Sequence, residues 1–114
     1  MNSLEKEIRQ LTRLWVQKGG KRNRRQQQRR MLAFAAHASI LGANCLAEVG
    51  KRHLVAYWRS RENLSRPTLY NHWRALCCLW RLANMRGAPI KPHALTKSEP
   101  STPSAVRPPR SLGP

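Results

Sequence analysis

The chain has 114 residues, and its 22 Lys and Arg against 5 Asp and Glu leave a formal charge of +17. That length allows one domain with a modest core. The charge excess makes a polyanion the first partner to expect, with DNA or RNA ahead of an anionic membrane surface. No stretch approaches the roughly 20 apolar residues of a membrane-spanning helix, and MNSLEKEIRQ lacks the basic start and apolar run of a secretory signal. A cytoplasmic, nucleoid-associated location is the resulting expectation.

Residues 3–17 read as an amphipathic helix. Leu4, Ile8, Leu11 and Trp15 line one side, and Lys6, Arg9 and Arg13 the other. Asn2 or Ser3 can cap it, and Gly19-Gly20 ends it. A second helix is expected from about Arg22 to Leu41, with Gly42 as its stop. Its inner face carries Met31, Phe34, Ala35, Ala38 and Leu41, and its outer face Arg22, Arg25 and Arg29, followed by Ala33 and Ala36.

A shorter helix is expected over Lys51–Arg61. Val49 and Leu54 form a hydrophobic staple around Gly50, and Leu54, Tyr57 and Trp58 point inward. The fourth helix has the clearest start, with Ser65 as N-cap, Pro67 in the first turn and Leu64 with Leu69 as a staple. Leu69, Trp73, Leu76, Trp80 and Ala83 form its apolar stripe, with Trp73 and Trp80 as core anchors. Asn71, Arg74 and Arg81 project outward, and Gly87 with Pro89 marks the stop.

Seven of the eight prolines fall between Pro89 and Pro114, mixed with Ser, Lys and Arg. A disordered Pro-rich basic tail follows, over residues 93–114 and most strongly from Lys97. Its Lys97, Arg107 and Arg110 would add weak phosphate contacts. Cys45, Cys77 and Cys78 are odd in number and suit reduced thiols. They share no metal-ligand spacing with His37, His53, His72 or His93, so neither a metal site nor a cofactor is expected. The reading is all-α: an N-terminal helix (1–18), a helical domain (19–92) and the tail.

Four segments, RRQQQRRMLAFAAHA, KRHLVAYW, LSRPTLYNHW and WRLANMRGAPIKP, carry a resemblance to a known family. Over about Lys21–Pro92 the chain resembles the SAM-like core-binding domain of tyrosine recombinases, the phage-integrase family. The resemblance implies a four-helix bundle forming one half of a clamp around duplex DNA. It implies groove or phosphate contacts for Arg25 and Arg29, and for Arg66, Asn71 and Arg74. The pattern departs from the family where chemistry would begin. No His-x-x-Arg motif occurs, and Tyr57 and Tyr70 have no catalytic arrangement around them, so no enzyme activity is expected.

The expected function is a DNA-binding module accessory to DNA integration or recombination, or a truncated integrase. Two alternatives stand beside it. Residues 51–80 read as helix, turn, helix, so a helix-turn-helix regulator is the second reading. The third is a protein-interaction module, in which the N-terminal helix pairs with a recombinase or its own copy.

Overall fold

The computed structural model describes residues 2–96. The expectations for residues 97–114, including the contacts of Lys97, Arg107 and Arg110, lie outside the described residues. The described chain is all-α: α1 (Ser3–Gln17), α2 (Lys21–Ile40), α3 (Lys51–Arg59), α4 (Arg66–Leu82) and the single turn α5 (His93–Thr96), with a 3-10 turn at Leu46–Glu48. α5 corrects the expectation of disorder from residue 93.

Local chemistry fixes the helix starts. Asn2 Oδ1 accepts the Glu5 N–H at 2.8 Å, and the Glu5 carboxylate accepts the Asn2 N–H in return, a capping box at the head of α1. Ser65 Oγ accepts the Thr68 N–H, and Pro67 sits in the first turn of α4. His53 Nδ1 accepts the Gly50 N–H at 2.9 Å, which holds the start of α3.

Of the ends of α2, α3 and α4, one follows the sequence reading and two do not. α2 stops at Gly42, whose φ of +99° is the left-handed conformation that glycine adopts without strain. The Ala43 N–H reaches the Ala38 carbonyl and the Gly42 N–H reaches Ser39, closing a Schellman motif. α4 closes the same way, with Asn84 at φ +56° in place of glycine: Met85 N–H donates to Trp80 and Asn84 N–H to Arg81. The stop therefore falls before Gly87, because asparagine tolerates the left-handed region. α3 likewise ends at Arg59, short of the expected Arg61.

One core joins all four long helices. Leu4 and Ile8 of α1, Met31, Phe34, Ala35 and Ala38 of α2, Leu54, Tyr57 and Trp58 of α3, and Leu69, Ala75, Leu76, Leu79 and Trp80 of α4 are buried together. α1 thus belongs to the same hydrophobic unit as residues 19–92. Phe34 stands edge-on to Tyr57 at 5.3 Å, and Trp80 lies 6.3 Å from Phe34. Such aromatic pairs add about 0.5–1.5 kcal/mol beyond their burial.

Both expected stripes are rotated slightly. In α1 the buried line runs Leu4, Ile8, Thr12, Val16, while Leu11 and Trp15 pack at its edge. Thr12 enters the core because its hydroxyl is satisfied, donating to the Ile8 carbonyl at 2.7 Å and accepting from Gln28 Nε2 at 2.8 Å. In α4, Ala75 and Leu79 are fully buried, whereas Trp73 is half-buried.

Trp73 is therefore no core anchor; it holds the chain that follows α4. Its indole N–H donates to the Pro89 carbonyl at 3.0 Å, and the Trp58 indole N–H donates to the Ile90 carbonyl at 2.9 Å. Two indoles from two helices grip successive carbonyls. Pro89 and Pro92 are buried beneath this strap.

Candidate nucleic-acid interface

Lys21–Arg30, the first half of α2, contains six cations in ten residues and no buried side chain. Arg22, Arg25 and Arg29 are exposed on the side away from Met31, Phe34 and Ala38. Arg24, on the flank, turns back instead. Its guanidinium lies 5.0 Å from the Trp15 ring centroid and donates to the Trp15 carbonyl. With the Gln28–Thr12 bond, this fastens the cationic segment along α1 by polar contacts.

α4 presents Asn71, Arg74 and Arg81 to solvent. Arg74 leans over the exposed Tyr70 ring, 5.8 Å from its centroid. Lys91 of the strap lies 5.0 Å over the Trp73 ring, and Trp73 is 6.0 Å from Tyr70. Two neighbouring rings, Tyr70 and Trp73, are thus flanked by two cations on this side of α4. Arg66 is exposed but not idle, since its Nη1 donates to the Ala94 carbonyl at 2.8 Å and ties α4 to α5. Arg52 similarly donates to the Leu41 carbonyl at the end of α2.

Two α2 arginines add to the charge environment of α4: Arg24 at Cys78, alongside Arg81 and Arg74, and Arg30 at His72. Arg22, Arg25 and Arg29 point outward from α2. Lys6, Arg9 and Arg13 of α1 are exposed as well, so cationic surface extends beyond α2 and α4.

The carboxylates explain why this charge stays unneutralised. Three of the four described acidic side chains accept from backbone N–H groups: Glu5 from Asn2, Glu7 from Leu46 at 2.8 Å, and Glu48 from Asn44 at 2.7 Å. They close the head of α1 and the 3-10 turn, while the guanidinium groups of α2 stay free of them.

Sequence reasoning missed a second cluster. Tyr57 is fully buried, its Oη 3.1 Å from His72 Nδ1, and Arg61 covers its ring at 4.6 Å from the centroid. His37 stands edge-on to the same ring at 5.7 Å. Burial lowers the His72 pKa, and Arg30 and Arg61 push it the same way. His37 is lowered by burial and by Arg61. Burial raises Tyr57, against the pull of Arg61 and Arg30. The spacing of Arg30 and His37, seven residues apart on one helical face, was the available signal.

Cys45, Cys77 and Cys78 are free thiols, and burial raises both adjacent cysteines of α4. Among the described residues no group of His, Cys, Asp and Glu could hold a metal ion, and no helix is long and apolar enough to cross a membrane. Compared with known protein families, curated proteins and solved structures, the chain matches none of them.

Proposed function

We propose that the protein is a DNA-binding module that grips duplex DNA through the first half of α2 and the outer side of α4. The observation that carries this reading is the separation of charge. Arg22, Arg25 and Arg29 stand exposed in a segment with six cations, while three of four described carboxylates are held by backbone N–H groups elsewhere. Such a surface releases counterions from a phosphate backbone, which favours binding at low salt. Asn71 and Arg74 are side chains that pair bidentately with base edges, so α4 is the element through which sequence would be read.

The resemblance to the core-binding domain of tyrosine recombinases supports the same faces and extends the reading to a role accessory to DNA integration or recombination, without strand cleavage by this chain. The helix-turn-helix alternative is weakened by the connection between α3 and α4. Residues 60–65 separate the two helices, longer than the three or four residues of that motif. The interaction-module alternative is weakened by α1, whose Leu4 and Ile8 have no exposure left to offer a partner.

Fluorescence anisotropy on a labelled duplex across a salt series tests the proposal. Binding at low salt is expected, with log K falling against log salt by roughly 0.9 for each phosphate neutralised. Absence of affinity at low salt would overturn it.

A further inference from the structure

The cluster around Tyr57 is not used by the reading above, and its composition is unusual for a half-buried site. Three segments converge: α2 supplies Arg30 and His37, the end of α3 supplies Tyr57 and Arg61, and α4 supplies His72. Arg30, Arg61, His37 and His72 are each half-buried, so the cluster is partly desolvated yet open to solvent. Among the described residues, no carboxylate contributes to the charge environment of His37, Tyr57 or His72. His37 Nδ1 is buried without a hydrogen-bond partner. Two guanidinium groups and two imidazoles are therefore gathered around Tyr57, and no carboxylate among the described residues offsets the charge of the guanidinium groups.

We propose that this cluster is a binding site for a phosphate oxyanion, and that occupancy is coupled to uptake of a proton by His72. The proposal rests on the nucleic-acid reading for the source of the phosphate, while the chemistry of the site stands without it. Burial is the larger cause of the lowered His72 pKa, and an oxyanion beside Arg30 and Arg61 offsets the part that these two guanidinium groups add. The contact to Tyr57 survives the change. A neutral His72 accepts the phenol proton at Nδ1, and a charged one donates from Nδ1 to the phenol oxygen across the same 3.1 Å. The proton comes from solvent, and no covalent bond to phosphorus forms or breaks. His37, edge-on to the Tyr57 ring, is the second imidazole of the cluster.

Phosphate binding therefore strengthens as the pH falls toward 6. The test follows the imidazole Cε1–H signals by NMR from about pH 5 to about pH 8. Spectra are taken for the protein alone, with a 20-base-pair duplex, and with inorganic phosphate. The expected result is an upward move of the His72 midpoint with either anion. Duplex affinity should then rise on acidification by about tenfold for each unit that binding adds to the imidazole pKa. His72→Gln should flatten that dependence, and Arg61→Gln should weaken binding at both ends of the range.

A shift with the duplex alone identifies nucleic acid as the source, and a shift with inorganic phosphate alone identifies a free phosphate. Duplex binding with His72 unmoved in both arms overturns this inference and leaves the DNA-binding proposal standing. No duplex binding at low salt overturns that proposal, and the inorganic phosphate arm still decides the cluster.

Discussion

The two halves of α2 are held in place by different physics. Met31–Ile40 contributes Met31, Phe34, Ala35 and Ala38 to the core, whereas Lys21–Arg30 has no fully buried side chain and is fastened by Arg24 on Trp15 and Gln28 on Thr12. One continuous helix thus separates the work of folding from the work of presenting charge. Polar fastening positions the first half without hiding its outer guanidinium groups, so cations can be changed there with little effect on the core.

The largest expected effect tests the apolar half. Phe34→Ala should cost about 3–5 kcal/mol in urea unfolding, because it opens a cavity under Tyr57 and Trp80. A loss below about 1 kcal/mol would mean that the core lies elsewhere. Replacing Arg22, Arg25 and Arg29 together by Gln should leave the melting temperature nearly unchanged and lower the salt slope by roughly 0.9 for each phosphate no longer neutralised. If that triple variant unfolds, the division within α2 is wrong.

Much of this plan was readable in the chain. Asn2, Gly42, Ser65 and the four long helices declared themselves because caps and periodicity are local signals. The rotation of both inner faces was not readable, because Thr12 looks polar until Gln28, sixteen residues later, satisfies it. Asn84 was hidden behind Gly87 and Pro89, stronger stop signals that the helix never reaches. The Tyr57 cluster escaped notice because its arginines, histidines and tyrosine come from three segments, and no single stretch displays them together. Arg22, Arg25, Arg29, Asn71, Arg74 and Arg81 were correctly expected to face outward; the tie of Arg66 to Ala94 depends on a tertiary contact.

Smaller effects sharpen the comparison. Trp58→Phe removes one donor from the strap and should cost about 1 kcal/mol, with faster hydrogen exchange near Ile90. Unchanged exchange there would show that the strap is held by its prolines alone. Gln28→Ala should cost up to about 1 kcal/mol by loosening the polar seam with α1, a loss readable by urea unfolding. An effect equal to that of Phe34→Ala would erase the distinction between the halves.

Acidification gives the last test. Burial and the neighbouring arginines lower the pKa of His37 and His72 in the folded protein, while unfolded imidazoles take up protons near pH 6.5. Stability in the absence of DNA should therefore be intact above that pH and decline below it. Thermal melts at successive pH values should show the decline, and His72→Gln should reduce it.

The placement of the four tryptophans makes them optical reporters of three different events. Trp15, beneath Arg24, senses what docks on the charged half of α2; Trp80 senses the interior; Trp58 and Trp73 sense release of the segment they grip. Single Trp→Phe replacements would split the emission spectrum into these components. Ligand arrival, local opening and global melting could then be timed separately without attaching a dye.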